Sequence, residues 1–154
     1  MGIRAVSHVA IGVRDMDRAL GFYRDVLGLR VTADRMEEFA QGAGQEAQKR
    51  RAVFLRYDDG PHASYVVLNQ QLSHDAPGEP AQLFQIGIHH FAFWVDDLVA
   101  MTERARAAGA TIAMGDEHGP GAGTEWYGEA PGGRIGNVIL RDPEGNYVQL
   151  DQRL

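Results

Sequence analysis

Two histidines occupy matching positions in two similar stretches of this sequence. The stretch that opens with Ser7 and His8 aligns with the stretch that opens with His89 and His90, and an alanine, a valine and an aspartate coincide at the same offset. Imidazole is the most common protein metal ligand and transfers protons near neutral pH. A lone histidine at the start of a strand is usually structural. Two at equivalent positions favour a functional site.

A second pair of stretches agrees at the same offset. The six residues from Tyr65 align with the six residues from Tyr147, so the tyrosine, a valine, a leucine and a glutamine coincide. Agreement of separate stretches at one offset indicates an internal duplication. We interpret the chain as one domain with a first module (1–70), a linker (71–84) rich in proline and glycine, and a second module (85–154).

The elements of the first module follow from apolar spacing and from helix-capping residues. Residues 5–13 alternate as a strand, and Asp15 is suited to cap the helix that comes next. Apolar residues recur there at helical spacing until Gly28, which ends the helix. Further strands are expected near 29–35, 52–57 and 64–69.

The second module repeats this order. Residues 86–95 form a strand, Asp96 or Asp97 caps the next helix, and Gly109 ends it. The buried stripe of this helix is expected to consist of Leu98, Met101, Ala105 and Ala108. Three strands are expected after it, at 110–114, 136–141 and 146–151. The predicted fold class is therefore α+β, with two tandem βαβββ modules.

Strand alternation predicts which side chains share a face. If Val9, Ile11 and Val13 pack on the helix, His8 points to the opposite face of the sheet. The same reasoning puts His90, Trp94 and Gln149 on the opposite face in the second module. His89 alternates to the other face of the strand, and we expect it to be structural or exposed. The small neighbours Ala10, Gly12 and Ala92 leave room there for a ligand.

Two long segments fall outside the expected strands and helices. Residues 37–50 read as a loop or a short irregular helix. Residues 115–135 are rich in glycine and carry Trp126 and Tyr127. Because so long an excursion is uncommon in a compact domain unless it has a function, we predict a flap over a site.

Composition excludes several classes of function. The chain has 154 residues, 44% of them hydrophobic, which is typical of a globular domain rather than a disordered chain. It has no cysteine, which excludes disulfides, thiolate metal sites and a cysteine nucleophile. The net charge of −6 argues against nucleic acid as a partner. The sequence has no run of about 18 apolar residues of the kind that spans a membrane, and no signal-peptide core at its start. We therefore expect a cytoplasmic protein.

The repeated histidine stretches resemble the vicinal oxygen chelate superfamily, which includes glyoxalase I, extradiol dioxygenases and bleomycin-resistance proteins. The resemblance covers essentially the whole chain and also rests on Phe22–Leu29 and Arg141–Leu150. It implies that the two modules form an open, barrel-like cup with a divalent metal inside. The superfamily hosts several chemistries and also non-enzymes, so the resemblance leaves the reaction open.

The resemblance also implies a set of metal ligands. The first-strand positions of the family match His8 and His90, and the last-strand position of the second module, usually glutamate, is Gln149. The fourth position, used by glyoxalase-like members, is Val67, which cannot bind a metal. Such a site has three ligands, as in extradiol dioxygenases, but an amide replaces the carboxylate. Fe2+ is favoured, and Mn2+, Ni2+ or Zn2+ are alternatives.

Asp151 and four aromatic residues are further candidates. Asp151 shares the face of Gln149 and is a ligand only if the strand bulges. Otherwise it is a partner of a ligand or an ordinary surface residue. Trp94, Tyr147, Tyr65 and Trp126 are candidate substrate-binding residues, although packing explains each of them equally well or better.

Two main classes of function remain, and a third alternative is a regulatory or accessory protein whose cup is vestigial. The first is a metal-dependent enzyme that binds a small substrate through two neighbouring oxygens, most like an extradiol-type dioxygenase. The second is a non-catalytic protein that sequesters a small molecule such as an antibiotic. The missing carboxylate favours the binder, and the two histidines favour the enzyme. The resemblance suggests a homodimer, and the modules pair either within one chain or between two.

Overall fold

The computed structural model describes residues 2–40, 42–115, 124–125 and 133–154. The chain folds as two compact units, Met1–Gly78 and Glu79–Leu154. Each unit contains one open mixed sheet and one main helical segment, so the predicted α+β class with two tandem modules is confirmed.

The first unit has the element order βαβββ. Its strands are β1 (His8–Val13), β2 (Arg30–Phe39), β3 (Gln48–Arg56) and β4 (Tyr65–Gln71), and its helix is α1 (Met16–Leu20). The strand order is β1-β4-β3-β2, with β1 parallel to β4 and the other pairs antiparallel. The first and last strands of the module therefore lie side by side.

Helix α1 begins as the sequence predicts. The Asp15 side chain accepts hydrogen bonds from the backbone N–H groups of Asp17 and Arg18, both at 3.0 Å, which satisfies two donors of the first turn. After α1 the chain continues as a π-helix over Gly21–Val26, and Gly28 follows with a φ of 79°. The wider turn was not predicted, because apolar spacing does not separate α- from π-helical turns over so few residues.

Residues 37–50 are only partly the loop that the sequence suggested, because the described residues between Phe39 and Gln48 are irregular but both ends are strands. Strand β2 continues to Phe39 and β3 begins at Gln48, so both ends of this segment belong to a long hairpin. Cross-strand charge pairs hold the polar end together, since Glu37 binds Arg50 at 2.7 Å and Glu38 lies 3.9 Å from Lys49. Opposite charges that face each other across two strands stabilise a segment that has little apolar surface to bury.

The second unit repeats the layout with one addition. Its strands are β5 (His90–Trp94), β6 (Thr111–Met114), β7 (Thr124–Glu125), β8 (Arg134–Arg141) and β9 (Tyr147–Arg153), and its helix is α2 (Leu98–Ala107). The strand order is β5-β9-β8-β6, with β5 parallel to β9. The short strand β7 pairs with β8 and lies within the predicted flap. Most of that flap, 116–123 and 126–132, lies outside the described residues.

The predicted first strand of each module was too long at its start. Pairing begins at His8 and at His90, rather than at residues 5 and 86. The reason is the partner strand, since His8 is opposite Tyr65 and His90 is opposite Tyr147, where β4 and β9 themselves begin.

Helix α2 is capped by Asp97, whose side chain accepts from the Ala100 N–H at 2.9 Å. Of the predicted stripe, Leu98 and Ala105 are fully buried, but Ala108 is exposed and that prediction was wrong. Thr102 takes a core position instead, because its hydroxyl donates to the Leu98 carbonyl at 2.7 Å and is thereby satisfied within the helix.

In each unit one face of the sheet packs on the helical segment. Ile11, Val13, Val66 and Leu68 are buried in the first unit, and Val148 and Leu150 are buried in the second. The alternate residues, which include the candidate site residues, lie on the opposite face. None of the described helices combines the length and apolar character needed to cross a membrane.

Candidate functional site

In the first unit, His8 is the first member of a row of three side chains that crosses the sheet. Tyr65 lies beside it on β4, and the two rings stack with centroids 5.1 Å apart and planes at 18°. On the other side of Tyr65, the guanidinium of Arg56 lies over the tyrosine ring, 4.8 Å from its centroid. The Tyr65 ring, a candidate for substrate binding, therefore contacts an imidazole and a cation within its own unit.

The next two rows of this face carry no histidine and no carboxylate. Val67 lies opposite Ala10 and is buried, so it offers only apolar surface. Asn69 lies opposite Gly12, and its Oδ1 atom is buried without a hydrogen-bond partner among the described residues. A methyl group at Gly12 would meet no described heavy atom within 4 Å, so the sheet is open at that point.

The second unit contains an equivalent row. His90 lies opposite Tyr147, which lies opposite Arg141 on β8. The guanidinium of Arg141 is 4.1 Å from the Tyr147 ring centroid and also donates to the tyrosine hydroxyl and to the Gly145 carbonyl. Tyr147 is buried. Both modules thus carry a His–Tyr–Arg row, although the shorter turn before β9 shifts the arginine out of the sequence repeat.

The residue before each candidate histidine contacts its ring. Ser7 Oγ lies 2.9 Å from Nδ1 of His8, and Nδ1 of His89 lies 2.8 Å from Nδ1 of His90. The parity argument placed His89 away from the site as a structural or exposed residue. The structure places its ring against that of His90, with centroids 4.6 Å apart.

Gln149 and Asp151 form a buried polar pair on the same face. Each of the two residues has only 6% of its surface exposed, and Gln149 Nε2 donates to Asp151 Oδ1 at 2.8 Å. Burial raises the pKa of Asp151, against the opposing effects of the Gln149 donor and the nearby His90 charge. The surface alternative for Asp151 is therefore wrong. When it is ionised, the Asp151 carboxylate only accepts hydrogen bonds, so the Gln149 amide turns its nitrogen toward it and Oε1 stays available for another donor or a cation.

Trp94 lies at the far end of this face, opposite Asp151, and is 53% exposed. The guanidinium of Arg153 lies 4.6 Å from the centroid of its ring. Between Trp94 and His90, the face carries only the methyl group of Ala92 beside Gln149. Trp126, the fourth aromatic candidate, lies outside the described residues.

Comparison with known proteins identifies the family. The family model described as the Glyoxalase/Bleomycin resistance protein/Dioxygenase superfamily matches residues 5–150. The chain belongs to this superfamily. This superfamily is the vicinal oxygen chelate group that the repeated histidine stretches resemble, so that resemblance is confirmed.

Individual members of the superfamily are similar over most of the chain. A lactoylglutathione lyase of Haemophilus influenzae is 28% identical over 94% of this chain and 90% of its own length. A probable chloroplastic lactoylglutathione lyase of Arabidopsis thaliana is 27% identical over 97% of this chain, which spans only 36% of that protein. A glyoxalase family protein of Bacillus cereus has the same fold, with a TM-score of 0.71, 20% identity and coverage of 100% and 97% of the two chains.

The donor chemistry of this superfamily member fits a divalent cation. Its candidate donors are two imidazole Nε2 atoms and one amide oxygen, and within the described part of the chain no hydrogen bond engages any of the three. The described residues contain no group of three or more His, Asp or Glu side chains that could hold a metal ion. Among the described residues, a metal centre at these positions would therefore need the neutral amide of Gln149 in place of a third His, Asp or Glu side chain.

Sequence reasoning did not predict the contacts that His89, Arg56 and Arg141 make with the candidate residues. Strand alternation excluded His89, because it describes side chains within a strand and His89 precedes β5. The repeat did contain a pattern that pointed to it, since polar Ser7 and His89 share one repeat position. No sequence pattern matched Arg56 of the first module with Arg141 of the second, because the turns before β4 and β9 differ in length.

Proposed function

We propose that this chain is a divalent-metal-dependent enzyme whose protein ligands are His8, His90 and Gln149. The observation that carries the proposal is the fixed amide of Gln149, which turns its nitrogen to Asp151 and keeps its oxygen available on the face that also bears His90. His8 takes the equivalent position in the first module. Two imidazoles and one oxygen donor suit Fe2+ first, with Mn2+, Ni2+ or Zn2+ as alternatives.

The charge of this ligand set indicates the class of substrate. Two imidazoles and an amide bring no negative charge, so a divalent cation would keep its full charge beside the buried amide of Gln149, which is unfavourable. A substrate that binds through two neighbouring oxygens, at least one of them anionic, supplies the missing charge. Catecholates, enediolates and 2-oxygenated carboxylates have this chemistry.

The reaction we favour is an extradiol-type oxygenation. Bound Fe2+ would supply Lewis acidity and a position for O2. Val67 contributes no donor, and this leaves the three-ligand set that such chemistry uses. Trp94, Tyr147, Tyr65 and Trp126 are our candidates for substrate contact. Of these, Trp94 is the most exposed described residue, and a planar substrate would stack on its ring beside the Arg153 guanidinium.

A second candidate is the reaction named for several relatives, that of a lactoylglutathione lyase. Val67 offers no donor at a position that glyoxalase-like members use, and Gln149 replaces the usual glutamate. Asp151 favours this candidate nevertheless, because it is a buried carboxylate in direct contact with Gln149. It would accept and return the substrate proton at a carboxylate oxygen.

Metal analysis of the full chain purified without oxygen tests the proposal. We expect near-stoichiometric metal in the wild type, loss of metal in the His8→Ala/His90→Ala double variant, and no loss in a His62→Ala/His74→Ala control. A wild type without metal that binds an apolar ligand, with quenching of tryptophan fluorescence, would instead identify a sequestering protein. For the metal-bound protein, two assays separate the dioxygenase from the lyase. The dioxygenase would consume oxygen in the presence of catechols, whereas the lyase would form or break down lactoylglutathione without consuming oxygen.

The domain organisation and assembly are proposals as well. We infer a single functional domain made of modules 1–70 and 85–154 with a linker at 71–84, which acts in the cytoplasm as a homodimer. Light scattering on the purified chain tests the dimer. A monomer that retains metal would show that one chain suffices for the proposed centre.

A further inference from the structure

The two candidate histidines are held in the same way by different residues. In each unit the residue immediately before the histidine contacts its Nδ1 atom, through Ser7 Oγ at 2.9 Å and through His89 Nδ1 at 2.8 Å. Ser7 and His89 share one repeat position, as His8 and His90 do. The contact to Nδ1 therefore has the same geometry in the two units, although a hydroxyl makes it in one and an imidazole in the other.

The position of one hydrogen bond determines the availability of the other ring nitrogen. A neutral imidazole has one N–H group and one lone pair, so the nitrogen that carries the proton cannot bind a cation. If Nδ1 of His8 and of His90 donates, Nε2 keeps its lone pair. Ser7 Oγ can accept from Nδ1–H, and His89 Nδ1 can accept when the proton of His89 is on its own Nε2.

We propose that Ser7 and His89 are positioning residues that accept hydrogen bonds from Nδ1–H of His8 and His90 and so leave both Nε2 lone pairs for a metal ion. Only the identity of the ligand rests on the proposed function; the hydrogen-bonding arrangement stands by itself. Partners of this kind orient metal-binding histidines and fix their tautomer in many metal sites.

Ring contacts support the same orientation. The His8 ring is stacked on Tyr65, which restricts rotation of the imidazole about its side-chain bonds. The His90 ring is packed against His89, whose own ring lies 6.3 Å from that of Phe84. No hydrogen bond from the described residues engages Nε2 of either candidate histidine.

The two contacts differ in exposure, so their effects differ in size. Ser7 and His8 are exposed, whereas His89 and His90 are half-buried. Water competes with an exposed hydrogen bond and replaces it at little cost when it is lost. We therefore expect a tenfold to hundredfold loss of metal affinity on removal of the His89 nitrogen, about the range for such partners, and a smaller loss for Ser7.

The experiment compares variants that remove or restore the acceptor. His89→Phe keeps a ring and removes the nitrogen, and His89→Asn returns an oxygen acceptor close to the former Nδ1 position. Ser7→Ala and Ser7→Thr form the same pair in the first unit. The matched controls are His74→Phe and Ser73→Ala, which alter a histidine and a serine within the linker.

Two measurements are made on each full-length protein. Nitrogen-15 NMR of the imidazoles, with no metal present and above the ordinary imidazole pKa, assigns the tautomer. Titration with Zn2+ or Co2+ gives the affinity. We expect Nδ1–H tautomers at His8 and His90 in the wild type, mixed tautomers and weaker metal binding in His89→Phe, and recovery of both in His89→Asn.

The results separate this inference from the proposed function. Nε2–H tautomers in the metal-free wild type would overturn the inference, whatever the metal affinity. Unchanged tautomers and metal affinity in His89→Phe would also overturn it. A wild type that binds no metal but has Nδ1–H tautomers that depend on Ser7 and His89 would leave the hydrogen-bonding inference standing and would refute the proposed metal enzyme.

Discussion

Gln149 donates its amide hydrogen to the carboxylate of Asp151 across 2.8 Å, and both side chains are buried on one face of the second sheet. This contact determines which end of the amide is free. It also places a carboxyl group, which can carry a negative charge, next to a candidate ligand that has none.

Gln149→Glu is expected to tighten metal binding and to weaken the metal-free protein. The new carboxylate supplies the charge that the amide lacks, but without a cation it faces Asp151 as a like charge in a buried setting. We expect at least a tenfold gain in Zn2+ affinity and a lower unfolding midpoint in the presence of a chelator. Calorimetric titration and thermal unfolding with and without metal measure the two effects. Unchanged or weaker affinity would mean that this side chain does not bind the metal.

Asp151→Leu is expected to destabilise the fold by about 1–3 kcal/mol, because the Gln149 amide nitrogen would be left buried without an acceptor. Asp151→Asn is the matched control, since its side-chain oxygen can still accept from Gln149. Denaturant unfolding of both variants measures the difference. Equal stability of the two variants would show that water replaces the missing acceptor.

Asp15→Ala is expected to lower the free energy of unfolding by about 0.5–2 kcal/mol, because two backbone N–H groups of α1 lose their acceptor. Asp15→Asn should retain most of the stability. Chemical denaturation monitored by circular dichroism makes the comparison. The prediction fails if alanine and asparagine behave alike.

Gly115→Ala is expected to be among the most damaging single-methyl changes in the described chain. Gly115 has a φ of +98°, and an added Cβ would lie 2.6 Å from the Asn137 carbonyl oxygen, so backbone strain and a clash combine. Gly12→Ala adds the same methyl group where no described atom lies within 4 Å. Comparison of the soluble yield and thermal midpoint of the two variants tests the contrast, and a stable Gly115→Ala protein would contradict it.

Asp34→Asn is expected to have a small effect that depends on pH. The Arg51 guanidinium donates to Asp34 and lowers the pKa of that carboxyl. A lowered folded-state pKa stabilises the fold above the ordinary aspartate pKa, and the stabilisation is lost as pH falls through the folded-state value. Because the pair is partly exposed to solvent, the effect at neutral pH should be about 0.2–1 kcal/mol. Urea midpoints of variant and wild type should converge in acid. A difference that does not change with pH would exclude the ion pair as its cause.

Much of the fold could be predicted from local chemistry. Asp15 and Asp97 cap helices, and Gly28 and Gly109 adopt positive φ after them, because few other residues satisfy those backbone positions. Alternation placed His8, His90 and Gln149 on the face away from the helix, because each strand has a buried apolar side.

The remainder depends on pairing between distant strands, which single-sequence reasoning does not provide. The polar ends of β2 and β3 remain part of the strands because Glu37 and Arg50 face each other across the hairpin. Neither residue predicts this pairing on its own. Likewise, Arg56 and Arg141 are remote from their tyrosines until β3 and β8 are in register. The orientation of His89 was predicted from strand alternation, although His89 precedes strand β5.

The parallel pairing of the first strand of each module with its last has a consequence for synthesis. His8 leaves the ribosome early, but the strand that holds β1 in place is the final strand of that module to emerge. Until then β1 has no neighbour, and closure must bring the two ends of the module together against chain entropy. Each half of the protein is therefore expected to acquire its histidine geometry in one late event, and a nascent chain arrested before β4 should display neither the stacked ring nor the buried strand.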